Sequence, residues 1–406
     1  MKILMLSATF PYPPSRGGTQ VRTFNLLQAL SQRHEISLVT QRSGDVTEEE
    51  IAGLQQCVAE LKVFARPQTD RDGTWEKLKR FSRFAVTQTP PSVLSYQIPQ
   101  MQEEIDRSIS SGTFDALTCE HSANEIFVRP QWRQQLPTVV NIHSSVYGTC
   151  RQQVETGTAE NPSRDRLYLP LLYRYERRYI QKFSTLVVTT EEDRQQLQQL
   201  NPQSHIEVIP NGVDLNLFPL RKIDPGGHDL IFVGAMDNIA NIDAVCFLAR
   251  SIFPQIQQRY PQATLSLVGA NPVSEVLELA TLPGVTVTGR VSSMAEYLHR
   301  ATVCVLSMRI GYGIKNKTLE AMAAGVPVVG SDRALEGLAI ESPLQVLRAN
   351  TISEYVEAIF QLFEQPELRS KLSRNGRSIV ESDYTWERAG RRYEGAIFRL
   401  AESTGV

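Results

Sequence analysis

The sequence predicts an α/β protein built of two doubly wound parallel-sheet domains facing across a cleft. Three observations carry that expectation. Short apolar, β-branched runs alternate with helical patterns; the alternation restarts once, around a Pro-Gly-Gly linker; and the runs are almost uniformly apolar, as strands covered on both faces must be. A chain of 406 residues suits two or three domains.

The first series opens with "KILMLSA" (2–8) and runs through "EISLVTQ" (35–41), "LKVFA" (61–65), "DALTCE" (115–120), "PTVVNIH" (137–143) and "STLVVTT" (184–190). Helical patterns lie between them, as in "TQVRTFNLLQALSQRH", where Val21, Phe24, Leu27 and Leu30 share one face. "IEVIPNGVDLNLF" (206–218) forms the junction, and "KIDPGGHD" is the best linker in the chain. The second series is "DLIFVGA" (229–235), "TLSLVGA" (264–270), "VTVTGR" (285–290), "TVCVLSM" (302–308) and "VPVVGS" (326–331). The final "YTWERAGRRYEGAIFRLAES" is an amphipathic helix through Trp386, Ala389, Tyr393 and Ile397. The expected division is 1–214, 215–383, and a C-terminal helix over 384–406 that packs back toward the first domain. In open parallel sheets, ligands bind beyond the carboxyl ends of the strands, so the cleft where those ends face each other is the expected site.

Composition narrows the function classes. A net charge of -2 offers no global basic field, so nucleic acid is not an expected partner and any anionic ligand must be held by local groups. The five cysteines are scattered without a C-x-x-C pair, which points to a reducing compartment, with Cys119, Cys246 and Cys304 packing as small hydrophobes. The N-terminal apolar run is too short for a signal peptide, and no stretch reaches the roughly 18 to 20 apolar residues of a membrane span. The expectation is a cytoplasmic protein that can still lie peripherally on the inner face of a membrane. Two segments have the composition for that: "WEKLKRFSRFA" (75–85) sets Trp75, Leu78, Phe81 and Phe84 among basic residues, and "LYRYERRYIQKF" (172–183) is similarly basic and aromatic. A packed helix with a solvated face is the plainer reading of both.

The most informative stretch is "GIKNKTLEAMAAGVPVVGS" (313–331). Strong helix formers, a stopping glycine and an apolar strand follow one another, with Lys315 and Lys317 at the helix start. Cations beside a helix N-terminus, already positive by its dipole, describe a seat for an anion such as phosphate. Glu320, three residues after Lys317, either pairs locally with it or accepts hydrogen bonds from a vicinal diol such as ribose. In "PYPPSRGGTQVR", Gly17 and Gly18 follow the first strand and allow backbone to approach a ligand, yet neither the G-x-G-x-x-G nor the G-x-x-x-x-G-K-[ST] fingerprint is present. His143 ends an interior strand, where a histidine is well placed for polar substrate groups, and His121 has the same position after another strand. Asn211 and Gly212 read as an Asn-Gly turn or a hinge. No histidine spacing suits a transition metal, and no Asp-x-Asp pair is expected to bridge a divalent ion to a diphosphate.

Taken together, "GG" after the first strand, "VVNIH", "VIPNGVD", "FVGAMDNIANIDAV" and "GIKNKTLEAMAAGVPVV" make the chain resemble the retaining GT-B-fold glycosyltransferases of the "group 1" family, in particular its bacterial exopolysaccharide-associated branch. The resemblance spans nearly the whole chain and implies two Rossmann-like domains, with the second binding a nucleotide sugar. It further implies a UDP- or GDP-sugar donor, a glycan or lipid-linked acceptor, a retaining and metal-independent transfer, and no cofactor. Carried over by position, Glu320 would hold the ribose, the helix start with Lys315, Lys317, Gly313, Asn316 and Thr318 would seat the diphosphate, Gly17, Gly18 and Asn211 would complete donor binding, and His143 would sit beside the transferring sugar. His143, Lys317 and Lys315 form the expected catalytic set. Two departures stand out. The Arg and Lys that the family commonly carries soon after the first strand of the second domain are missing from "GAMDNIAN", so Lys315 or Lys317 would replace them. Tyr312 stands where a second glutamate is frequent. A nucleotide-sugar epimerase on the same plan and a catalytically silent sugar-nucleotide-binding subunit are the alternatives.

Overall fold

The computed structural model describes residues 1–14, 17–66, 82–155, 157, 159, 161–311 and 313–403, with the side chains of 399–403 excepted. Tyr312 and most of the 75–85 segment, including Trp75, Leu78 and Phe81, lie outside the described residues. The chain forms two compact units, Met1–Pro210 with Ala389–Val406, and Asn211–Arg388.

The first unit carries a seven-stranded parallel sheet among its described residues, made of β1 (Lys2–Ser7), β2 (Glu35–Arg42), β3 (Glu60–Ala65), β4 (Ala116–Glu120), β5 (Thr138–Ile142), β6 (Thr185–Val188) and β7 (Ile206–Val208). Their order is β3-β2-β1-β4-β5-β6-β7. Every residue of β4, β5 and β6 is buried, Glu120 and Asn141 included, which is why those runs show no alternation of apolar and polar residues. Strand order reverses between β1 and β4, and that switch point opens a crevice at their carboxyl ends. The first helix, Gly18–Ser31, buries Phe24, Leu26, Leu27 and Leu30. Val21, expected on that face, stays half-exposed, and Arg22 takes the interior position instead.

The C-terminal helix, Trp386–Ser403, buries Trp386, Ala389, Tyr393 and Ile397 as its pattern requires. From Ala389 onward it belongs to the first unit. A Cβ on Gly390 would come within 2.3 Å of Ala29 Cβ, so the missing side chain lets this helix touch the first one closely. Beside that contact, Glu394 accepts from Arg33 at 2.6 Å and lies 2.8 Å from His34 Nε2.

The second unit has β8 (Asp229–Val233), β9 (Thr264–Val268), β10 (Val285–Val287), β11 (Val303–Leu306), β12 (Val328–Gly330) and β13 (Leu347–Arg348), in the order β10-β9-β8-β11-β12-β13. All pairs are parallel, and the switch point lies between β8 and β11. β7 and β13 are too short and too polar at their flanks to stand out in the sequence. The unit's boundaries fall at 210/211 and 388/389 rather than 214/215 and 383/384. The shift has a local cause: Val213 bridges Thr385 and donates its N–H to Tyr384 O at 2.8 Å, which stitches both ends of the unit together.

Two expectations from composition need correction. A helical run over Ile239–Arg259 is long and apolar enough to cross a membrane, contrary to the expectation that no stretch qualifies. Its apolar residues, among them Ala244, Val245, Leu248, Ile252, Phe253 and Ile256, are packed in the second core. A π-helical turn at Leu248–Ile252 interrupts it just before Pro254, whose ring and missing N–H disturb the preceding turn. Cys119 and Cys304 are buried as expected, but Cys246 is half-exposed, with Sγ 3.4 Å from a Glu275 oxygen.

Candidate functional site

In the second unit the key helix, Asn316–Ala323, follows β11 at the switch point. Its end is a Schellman motif: Gly325, at φ +78°, donates to Met322 O at 3.0 Å and Val326 donates to Ala321 O at 2.9 Å. Its start is bare. The N-cap Lys315 is extended, supplies no side-chain cap, and no acidic residue sits in the first turn. The Asn316 and Lys317 N–H groups in that turn are therefore available to an anion.

Lys317 leaves this first turn and reaches back to the end of β8. Its Nζ donates to Asn241 Oδ1 at 2.5 Å and lies 4.5 Å from the centroid of the Phe232 ring. Gly234, immediately after β8, makes room for it, since a Cβ there would stand 2.7 Å from Nζ. Asn241 is fixed in turn by donating from Nδ2 to Ala235 O at 2.7 Å. Burial lowers the Lys317 pKa to about 7, with Glu320 pulling the other way. Glu320 is pushed up to about 7 by the same desolvation, against the opposing pull of Lys317. Their expected i, i+3 ion pair is not made; among the described residues the Glu320 carboxylate meets no hydrogen-bond donor. It stands as a half-buried acceptor one turn into the helix.

The other expected residues of this unit divide by what their side chains already do. Lys315 is held back: its Nζ donates to Gly313 O and lies 3.4 Å from Glu336, which also pairs with Arg333 at 3.0 Å. Thr318 is buried and already engaged, donating from Oγ1 to Ala334 O at 2.7 Å and from its N–H to Lys315 O at 2.9 Å. Asn316 accepts from Asn211 Nδ2 at 2.8 Å, a contact that ties the start of the unit to the helix start. Gly313 has φ +71°, which lets the loop turn into the helix.

In the first unit His121 and His143 directly follow β4 and β5, and their rings lie 5.2 Å apart. Burial lowers both pKa values, that of His143 well below the usual range, with the charges of His121 and Arg22 adding to the effect. Both imidazoles are therefore neutral at pH 7. His121 Nδ1 accepts from the Ala123 N–H at 3.1 Å. His143 Nε2 is buried with no hydrogen-bond partner among the described residues. The turn after His143 is rigid, because buried Glu176 accepts from Ser145 Oγ at 2.6 Å and from the Val146 and Tyr147 N–H groups at 3.2 and 3.0 Å. Gly17 and Gly18 stand at the start of the first helix, where a Cβ on Gly18 would meet nothing within 4 Å.

Beneath the histidines runs a buried polar chain that the sequence did not announce. Arg22 Nε donates to Asn141 Oδ1 at 3.0 Å, Asn141 Nδ2 donates to Glu120 Oε2 at 3.0 Å, and Tyr393 OH donates to Glu120 Oε1 at 2.5 Å. Burial raises the Glu120 pKa, and these hydrogen bonds oppose the rise. The nearest signal in the sequence is an acidic residue ending an interior strand, directly before His121.

Two family models match the chain. Glycosyltransferase family 4 covers residues 16–217, and the model for glycosyl transferases group 1 covers residues 227–365. The chain belongs to the group 1 glycosyltransferases. A comparison with curated proteins finds no match. Among solved structures, this glycosyltransferase is similar to a sucrose-phosphate synthase from Thermosynechococcus elongatus, at 17% identity and a TM-score of 0.71 over 99% of this chain and 100% of that one. An S. aureus TarM variant in complex with fondaparinux, α-GlcNAc-glycerol and UDP gives 12% identity and a TM-score of 0.68 over 98% and 99%. Anabaena HepE in complex with UDP and glucose gives 14% identity and a TM-score of 0.64 over 99% and 100%. At these identities the likeness establishes the fold, which is GT-B with two Rossmann-like domains.

Proposed function

We propose that this glycosyltransferase moves a sugar from a nucleoside diphosphate donor to a glycan or lipid-linked acceptor, with retention at the anomeric carbon and without a metal ion, in polysaccharide or glycoconjugate synthesis. The observation that carries the reading is the Lys317 ammonium, held 2.5 Å from Asn241 Oδ1 beyond the end of β8, one turn from a Glu320 carboxylate that meets no donor among the described residues. A cation at the switch point, bare N–H groups beside it and an unsatisfied acceptor match a diphosphate joined to a ribose. The UDP complexes of HepE and TarM favour UDP as the base-bearing group. Free thiols at all five cysteines fit a cytoplasmic setting.

In this reading the protein contributes positioning and electrostatics rather than a nucleophile. Glu320 accepts from the ribose hydroxyls. Lys317 and the first-turn N–H groups take up the charge that collects on the leaving diphosphate, in place of the Arg and Lys absent after β8. A leaving phosphate oxygen takes the acceptor proton, which lets the acceptor enter on the face the diphosphate leaves. Neutral His143, held by its rigid turn, offers a ring nitrogen to the sugar. Lys315, already engaged by Glu336, has the smaller part.

Thermal shift against a panel of UDP-, GDP- and ADP-sugars tests the reading first, since selective binding stabilises as RT ln(1 + [L]/Kd). Transfer or slow hydrolysis of the selected donor is the expected result. Donor isomerisation without an acceptor would make the protein an epimerase, and binding without any turnover would make it a silent subunit.

A further inference from the structure

A groove of about 840 Å³ opens on the first unit, and none of the residues assigned above to donor or catalysis lines it. Its wall is apolar and aromatic: Leu169, Pro170, and the rings of Tyr147 and Tyr173, edge to face at 5.3 Å. Its rim is Arg174, Arg177 and Arg178. Most of the lining comes from one face of the helix Pro162–Tyr179, at the i, i+3, i+4, i+7, i+8 spacing of Pro170, Tyr173, Arg174, Arg177 and Arg178.

The charge on this helix is sorted by depth. Its two carboxylates, Asp165 and Glu176, are buried, and every exposed charged side chain on it is an arginine: Arg164, Arg166, Arg174, Arg177 and Arg178. Arg178 is spent on the 87–89 segment, donating to Thr87 O, Gln88 O and Thr89 Oγ1 at 2.9–3.1 Å. Arg174 and Arg177 meet no carboxylate or other acceptor among the described residues. In a chain of net charge -2, Arg174 and Arg177 make a local positive field that no described residue neutralises. The same surface exposes large apolar groups, with Leu167 65% exposed and Val86, two residues from the groove-lining Gln88, 83% exposed. The aromatic residues that suggested a lipid surface from sequence are mostly internal: Phe84 packs on Tyr168 at 5.3 Å with no exposure, and Tyr175, Tyr179 and Phe183 are in the core.

We propose that this groove is a docking site for an anionic phospholipid bilayer, with a headgroup phosphate between Arg174 and Arg177 and the exposed Leu167 and Val86 entering the interface. Charge complementarity selects this occupant. A purely apolar partner would leave the arginines unpaired, and a purely ionic one would leave Leu167 and Val86 in water. The site is independent of the donor chemistry proposed above, and it would hold the enzyme against the surface where a lipid-linked acceptor resides.

Co-sedimentation of the full chain with phosphatidylcholine vesicles, with and without phosphatidylglycerol, tests the site. Association with the anionic vesicles alone, weakening as salt rises, is the expected result. Arg174→Ala with Arg177→Ala should lower partitioning about thirtyfold, and the double Lys variant should retain most of it. Leu167→Ser should also weaken it. Unchanged thermal unfolding shows the variants folded, since neither guanidinium bonds another described residue. Absence of association by the folded wild type, or association that survives the double Ala variant, overturns the proposal. So does competition by millimolar glycerol phosphate with an affinity equal to that of the vesicles, which would mark a soluble phosphate ligand instead.

Discussion

The ammonium of Lys317 lies 4.5 Å from the centroid of the Phe232 ring, a side chain of β8 with no solvent exposure. A lysine placed in the first turn of a helix would ordinarily extend into water. Here Gly234 clears a path, and the ring face and Asn241 Oδ1 partly compensate for lost hydration. The charge stays at the switch point at a cost, visible in a pKa drawn down by burial to about 7. A group held so close to neutrality responds to an incoming anion.

Donor binding should therefore take up protons. In the empty site the Lys317 ammonium is lost as pH rises through about 7, while Glu320 ionises over the same range. A diphosphate nearby favours the protonated form of Lys317, while near pH 8 Glu320 is already ionised as its ribose contact requires, so affinity falls as pH rises above 7 and binding near pH 8 draws protons from the buffer. Calorimetry in buffers of different ionisation enthalpy measures this. Lys317→Met should reduce the uptake, and equal heats in all buffers would contradict the assignment.

Glu320→Ala should weaken the bare nucleoside diphosphate, because the proposed contact is to ribose. Losing a charged acceptor costs roughly 1.5–3 kcal/mol, or about a tenfold to hundredfold rise in Kd. Unchanged affinity in a folded variant would return Glu320 to a purely structural role.

Tyr393→Phe should destabilise the first unit by about 1–3 kcal/mol, since it leaves Glu120 Oε1 buried without its donor. The loss should appear as a lower midpoint in urea. Wild-type stability would mean that the C-terminal helix is held by its apolar face, by Glu394 and by the Arg392 bond to Val208 O.

Activity should survive EDTA undiminished. Among the described residues no three His, Cys, Asp or Glu side chains gather to hold a metal. Asp70 and Asp72 do have the Asp-x-Asp spacing, but they lie outside the described residues, so the chelator test is the discriminating one. A strict need for Mn²⁺ or Mg²⁺ would contradict the site as drawn.

The fold was legible because interior parallel strands leave a strong mark. The runs around β1, β4, β5, β8 and β11 are buried along nearly their whole length, and their short, mostly apolar, β-branched character between turn residues places them. The helix Asn316–Ala323 was legible from its glycine stop. What the sequence hid is direction. It shows two lysines at a helix start, but not that Lys317 turns inward to β8 while Lys315 is tied to Glu336. It shows Arg22 among apolar neighbours, where periodicity would set Val21 inside, because the acceptors that admit Arg22 come from Asn141 and Ile209, more than a hundred residues away. The chain from Arg22 to Tyr393 is tertiary in origin and leaves no local pattern.

The central claim is that Lys317 stabilises the departing diphosphate, and single-turnover transfer by Lys317→Ala tests it most directly. Interactions stronger in the transition state than in the ground state lower turnover more than they weaken binding. Once the donor is known, the chemical step should slow by roughly a hundredfold or more, with donor affinity falling less, and adding Lys315→Ala should change it little further. A Lys317→Ala enzyme that binds donor and turns it over at the wild-type rate would contradict the account.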